Sequence, residues 1–115
     1  MRRLHLHAIA GGNIPCISLP ILAAGHSPGH TCWRIGAGRR AFIAWGDLVH
    51  FAAIQIAHPA TAVKYDLDPD EARRSRLRMF DMIAADGLAI ACAHVAAPGF
   101  GYLRRSGASY NFEPA

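Results

Sequence analysis

The most regular spacing of apolar and polar residues lies between positions 66 and 87. The helix that this spacing predicts has an apolar face made of Leu77, Phe80, Ile83 and Ala84. Asp68 is a good N-cap residue and Pro69 fits the first helical position, while Gly87 suits a left-handed helix end. We therefore predict a helix whose arginines point mostly away from its apolar face.

Shorter apolar stretches before this helix predict strands. Residues 14–24 are apolar but contain two prolines, which is typical of an edge strand. Residues 31–36 and 41–47 predict a hairpin with a turn at 37–40, and its second strand is apolar enough to be buried on both faces. Residues 48–59 fit either a helix or an irregular connection.

The pattern after the helix predicts further strands. Residues 88–94 indicate a buried strand that runs into His94, residues 97–103 a glycine-rich loop, and residues 109–114 a last short strand. Strands that alternate with a helix indicate an α/β layered fold, and we expect a single domain over residues 1–115.

Composition narrows the class of protein. The 115 residues are 52% hydrophobic and 17% charged, which suits a packed core and excludes a disordered chain. No apolar run approaches the ~20 residues of a membrane helix, and the first apolar stretch is too short for a signal peptide. We therefore expect no membrane partner and, by default, a cytoplasmic location.

Charge and cysteine content add two expectations. The net charge is +4, with four arginines between positions 73 and 78. Spread around a helix, these arginines cannot all face one groove of a nucleic acid, so we interpret them as solvated surface charge and expect no nucleic-acid partner. Three cysteines without a CxxC pattern indicate free, buried thiols in a reducing compartment.

Candidate metal ligands stand where loops meet the predicted strands. His26 lies in the GHSPGH turn before one strand, Asp47 closes the next strand, and His94 closes the strand after the helix. Two imidazoles and a carboxylate suit zinc or a similar ion, and strand ends often carry functional sites. Each residue alone also fits an ordinary structural role. Their joint occurrence with GHSPGH favours a metal site.

Three segments, AGHSPGHTCWRI, AFIAWGDLVH and ACAHVAAPGFGYL, together resemble the C-terminal half of metallo-β-lactamase-fold hydrolases. They are most similar to the branch that contains methyl parathion hydrolase and the quorum-quenching lactonases. The resemblance covers roughly residues 20–114. It implies a partial αββα sandwich, namely the C-terminal sheet and helix, and we expect residues 1–13 to lie outside the family pattern or to be poorly ordered.

The resemblance implies roles for the candidate residues in a centre of two zinc ions. His26 matches a ligand of the first ion, Asp47 the bridging and orienting carboxylate, and His94 a ligand of the second ion. His30, the second histidine of the turn, matches a position that supports the turn. We assign His50 no ligand role and expect a structural or solvent-exposed side chain.

The family's other motif, HxHxDH, is absent from this sequence. HLHAIA at 5–10 offers only an HxH pair, and we treat His5 and His7 as coincidental. We assign Asp66 to a turn and Asp68 to the helix cap.

Two hypotheses follow. The chain is part of a metal-dependent, binuclear zinc hydrolase of a lactone, ester or phosphotriester, inactive without HxHxDH. Alternatively, it is an inactive remnant or an interaction domain with weak metal binding. In both cases we expect an exposed apolar sheet face, covered by self-association or by pairing with an N-terminal half.

Overall fold

A computed structural model of the chain describes residues 18–95 and 99–115, together with the backbone of two short strands. These strands, β1 (His7–Ala8) and β2 (Pro15–Cys16), pair with each other in antiparallel orientation. The prediction that residues 1–13 lie outside the family pattern falls mostly on residues outside this description, as does the interpretation of His5.

The other strands form one mixed sheet of six strands in the order β3-β4-β5-β6-β7-β8. They are β3 (Ser18–Leu22), β4 (Thr31–Ile35), β5 (Phe42–Ala44), β6 (Ala89–Ala91), β7 (Phe100–Ser106) and β8 (Ser109–Pro114). Neighbouring strands run antiparallel except β5 and β6, which are parallel because a helical crossover joins them. The predicted edge strand, hairpin and last strand are confirmed.

The predicted glycine-rich loop at 97–103 is wrong from residue 100 onward, where β7 begins. Gly101 lies inside β7, and a Cβ atom there would lie 2.3 Å from the carbonyl oxygen of Glu113 on β8. The glycine therefore marks a close approach of two strands rather than a loop.

Two helices connect β5 to β6: the short α1 (Ala52–Gln55) and the long α2 (Pro69–Asp86). The predicted ends of α2 are confirmed, since the Asp68 side chain accepts a hydrogen bond from the Glu71 N–H at 3.0 Å and Gly87 has φ +64°. No helix in the described part of the chain is both long and apolar enough to cross a membrane.

The core lies between α2 and one face of the sheet. Phe80 and Ile83 of α2 pack there with Ile43 and Ile90 from the central strands, and all four side chains are fully buried. Leu77, predicted on this face, is instead 38% exposed, because the buried face of α2 is rotated toward Ala72, Arg76 and Met79.

The opposite face of the sheet is apolar and only half covered by the described residues. Cross-strand pairing places Pro20, Trp33, Ala44, Ala91 and Phe100 in one row on this open face. The prediction that the β5 strand is buried on both faces is therefore wrong, because only its α2 side is fully covered.

Two of the cysteines, Cys32 and Cys92, are free thiols, as predicted. Burial raises the pKa of each to about 12, so both stay protonated and weakly reactive at neutral pH.

Arg76 is 1% exposed, which contradicts the prediction that the helix arginines are all solvated. Its Nε donates a hydrogen bond to the Leu48 carbonyl at 2.9 Å. Its Nη1 donates to the carbonyls of Pro59 at 2.7 Å and Thr61 at 3.1 Å. Its Nη2 lies 3.6 Å from Oδ2 of Asp66, whose side chain is equally buried. One guanidinium therefore holds three separate loop segments against α2.

We predict that Arg76→Met lowers the free energy of unfolding by about 3–5 kcal/mol, because it removes the guanidinium that faces the buried Asp66 carboxylate and the donor to three buried carbonyls. The matched control is Arg73→Met, since the Arg73 side chain is 41% exposed and forms a surface ion pair with Asp70, at 3.4 Å. Arg73→Met should lower the free energy of unfolding by no more than about 1 kcal/mol. Urea unfolding of both variants measures the difference, and equal losses would contradict the role assigned to Arg76.

Candidate metal centre

The GHSPGH turn joins β3 to β4 and is anchored on α2. Gly25 has φ +139°, and a Cβ atom there would lie 2.1 Å from the Ala72 backbone nitrogen, so only glycine allows this packing. The Asp68 N–H donates to the Gly25 carbonyl at 2.9 Å, and the Leu67 N–H donates to the His26 carbonyl at 3.2 Å. The backbone of His26 is thus fixed by the segment that caps α2.

His30 supports the turn, as predicted. Its Nδ1–H donates to the Ala23 carbonyl at 2.9 Å, and its Nε2 accepts a hydrogen bond from the Asp47 N–H at 2.9 Å. Gly46 has φ +55°, and a Cβ atom there would lie 2.9 Å from His30 Nε2. Gly46 and His30 together therefore set the position of Asp47.

The three candidate residues His26, Asp47 and His94 lie together in the structure. His94 Nε2 is 2.8 Å from Oδ1 of Asp47, and His26 Nε2 is 3.4 Å from Oδ2 of the same carboxylate. Asp47 follows β5 in a tight turn, Gly46–Leu48, and His94 follows β6. His94 has φ +62°, a strained conformation for a residue other than glycine that is often found at functional sites.

Two further side chains, missed by the sequence analysis, belong to the same cluster. His50 Nε2 lies 4.0 Å from Oδ1 of Asp47, and its ring centroid is 4.9 Å from those of both His26 and His94. Asp66 Oδ1 lies 3.2 Å from His26 Nδ1, so Asp66 is a buried partner of His26 rather than only a turn residue.

The sequence contains a local pattern that indicates a role for His50, but none that indicates a role for Asp66. Asp47 and His50 are only three positions apart, and the turn Gly46–Leu48 followed by the extended Val49 brings their side chains near each other. That spacing was visible in the sequence as GDLVH. Asp66 has no local signal, because its contact with His26 spans 40 residues.

The electrostatics of the cluster favour the metal-binding forms of its members. The hydrogen bond from His94 lowers the pKa of the Asp47 carboxyl, and the nearby histidines lower it further, so Asp47 is ionised at neutral pH. Burial lowers the pKa of His50, and the neighbouring His26 adds to this effect, which favours a neutral imidazole. An ionised carboxylate and a neutral imidazole are the forms that bind metals.

The residues present fit a divalent ion such as zinc. Asp47, His50 and His94 each offer a donor atom within 4.8 Å of the other two, and so do His26, His50 and Asp66. Zinc holds such atoms at about 2.0–2.2 Å, so the ligands of a tetrahedral site lie about 3.3 Å apart. His50 Nδ1 is buried without a hydrogen-bond partner among the described residues, which a purely structural role does not explain.

Small molecules can reach the cluster. A cavity of about 430 Å³ is lined by His26, Asp47, His50, Phe51, Tyr65 and His94. A second groove of about 650 Å³ shares His50 and His94, and its remaining wall is mainly apolar, with residues such as Ile54, Ile56 and Phe112. The arrangement therefore places polar side chains beside an apolar surface, as ligand sites commonly do.

No protein-family model matches the chain, and no curated protein matches it. Several solved structures do match it, among them the following two. The chain is 28% identical, with a TM-score of 0.80, to AidC, a dizinc quorum-quenching lactonase solved with a product, over 85% of this chain and 33% of that one. It is 33% identical, with a TM-score of 0.81, to AbOPH, a hydrolase in the beta-lactamase superfamily, over 95% of this chain and 36% of that one.

The chain thus spans about a third of the length of the structures it matches. Its mixed sheet with one main helix confirms the predicted α/β fold, a partial metallo-β-lactamase sandwich. The matched share fits the C-terminal part of such a protein. On these grounds the chain resembles the metallo-β-lactamase-fold hydrolases in both fold and sequence.

Proposed function

We propose that this chain supplies one part of the zinc centre of a metal-dependent hydrolase, with His26, Asp47 and His94 as metal ligands. One observation carries the proposal: two histidines from separate loops face the two oxygens of a single carboxylate, at 3.4 and 2.8 Å. The similarity to a protein described as a dizinc lactonase supports zinc as the metal.

Each side chain has a distinct role in this proposal. Asp47 lies between the two histidines and would bridge two ions, with His26 on one side and His94 on the other. Asp66, at 3.2 Å from His26 Nδ1, orients that ring so that Nε2 faces Asp47. Bound zinc supplies Lewis acidity and lowers the pKa of a bound water toward neutrality.

We propose a small ester, lactone or phosphotriester as substrate. The apolar groove of about 650 Å³ that shares His50 and His94 would hold an apolar substituent beside the reacting group. AidC was solved with an N-acyl homoserine product, which is consistent with this class. Because the chain spans a third of its matched structures, the remaining ligands and pocket walls would come from residues beyond it.

The absence of HxHxDH from the sequence favours a second candidate, an inactive remnant or interaction domain with weak metal binding. Both candidates share the fold. They differ in the zinc affinity of Asp47 and its neighbours, and in whether zinc-loaded protein turns over substrate.

We predict that Asp47→Asn lowers zinc affinity by at least about 100-fold, because changes to outer-shell partners alone cost about 10–100-fold. Asp70→Asn, which alters an exposed carboxylate on α2, should leave the affinity unchanged. Isothermal titration calorimetry measures both. Equal zinc affinities in the two variants would refute the metal assignment. Hydrolysis of a lactone or aryl ester that disappears in Asp47→Asn supports the enzyme, and tight zinc binding without turnover supports the second candidate.

Gly46→Ala should weaken zinc binding by about 10-fold or more, because its Cβ atom would push against His30 and displace Asp47. Gly107→Ala is the control, since Gly107 has a similar φ of +62° with open space around it. Both variants should lose about 1–2 kcal/mol of stability from the left-handed backbone. Only Gly46→Ala should lose metal affinity, and unchanged affinity in that variant would show that His30 does not position Asp47.

A further inference from the structure

We infer that His50 is a metal ligand, and that Asp47, His50 and His94 form a single-ion site contained within this chain. The inference rests on the proposed metal chemistry of Asp47 and His94. It adds a third ligand that the sequence resemblance does not assign, and it implies that this chain binds one ion without ligands from elsewhere.

The geometry of the three residues fits one ion. Their donor atoms all lie within 4.8 Å of one another. The Nε2 atoms of His94 and His50 lie 2.8 and 4.0 Å from the same oxygen, Oδ1 of Asp47. The two rings stack at 4.9 Å with 25° between their planes, so both present an edge to the carboxylate. Three protein ligands with a fourth position open are typical of catalytic zinc.

His50 is held in place before any ligand binds. Gln55 is fully buried, and its Oε1 accepts hydrogen bonds from the N–H groups of His50 at 2.7 Å and Phe51 at 3.1 Å. Its Nε2 donates to the Thr61 carbonyl at 3.1 Å. The backbone of His50 is therefore fixed by a buried amide, and a ligand positioned in this way loses little conformational entropy on binding a metal.

The position of the His50 side chain also costs the folded chain some stability. It is 9% exposed, and its Nδ1 lacks a hydrogen-bond partner among the described residues. Burying an imidazole nitrogen without a hydrogen-bond partner destabilises the folded chain. Stability alone therefore does not explain the position of this ring, and its other nitrogen, Nε2, faces Oδ1 of Asp47 at 4.0 Å.

A competing group, made of His26, His50 and Asp66, is equally close-packed. Asp66, however, is 1% exposed and already faces Arg76 Nη2 at 3.6 Å and His26 Nδ1 at 3.2 Å. The Asp47 carboxylate is 42% exposed and lines the cavity. An ion needs access from the cavity, which favours the group built on Asp47.

Cobalt titration of the chain tests the inference, because Co²⁺ reports its ligands by visible absorption. We expect one bound ion per chain. His50→Gln should reduce cobalt affinity by at least about 100-fold, given that outer-shell changes cost about 10–100-fold. His58→Gln is the matched control, because His58 is exposed and lies outside the cluster. Circular dichroism of each variant verifies that it is folded.

A cysteine variant separates direct coordination from a structural role. In His50→Cys, a thiolate bound to cobalt should produce a charge-transfer band in the near ultraviolet that the wild-type chain and His58→Cys both lack. Wild-type affinity in folded His50→Gln, or cobalt bound by His50→Cys without that band, would overturn the inference. If Asp47→Asn nevertheless loses cobalt, the proposed function stands. If the wild-type chain binds no cobalt, both fail.

Discussion

The buried guanidinium of Arg76 is the interaction on which the candidate centre depends. Its hydrogen bonds reach the carbonyls of Leu48, Pro59 and Thr61, and its charge faces Asp66. Leu48 ends the turn that carries Asp47, and Asp66 orients His26. A side chain of α2 therefore links the core to the loops that present the metal-binding residues, which gives those loops a rigid support.

Burying the Arg76 guanidinium costs stability, and this cost suggests that the residue serves the geometry of the loops. A buried guanidinium loses its hydration, and only close partners compensate for that loss. Burial lowers the pKa of Arg76, and the Asp66 carboxylate opposes that shift. Well-packed apolar residues in place of a buried ion pair would often give equal or greater stability. A charged group that fixes several carbonyls at once instead favours one defined loop geometry, which a metal centre requires.

The sequence predicted features that depend on neighbouring residues. Asp68 and Gly87 mark the ends of α2 because capping is local chemistry, and the GHSPGH turn is visible because glycine and proline restrict the backbone in known ways. The burial of Arg76 and the contact between His26 and Asp66 were not predictable, since they join segments 28 and 40 residues apart. Leu77 was wrongly predicted to be buried. The buried face of α2 includes Arg76, and a pattern of apolar residues alone does not count an arginine as buried.

The open face of the sheet agrees with the short span of the chain relative to its matched structures. Trp33 and Phe100 are each 37% exposed on that face, which in a sandwich fold packs against a second layer. The prediction that self-association or an N-terminal half covers it remains a prediction. The candidate centre lies in the loops after β3, β5 and β6, and the single-ion site inferred there draws its ligands from this chain alone.

X-ray absorption at the zinc edge of the zinc-loaded chain tests the central claim most directly, because it identifies the atoms bound to the ion. The account predicts a shell of nitrogen and oxygen at about 2.0–2.2 Å with the scattering pattern of at least two imidazoles. A shell of sulfur at about 2.3 Å, or one of oxygen without imidazole, would contradict it.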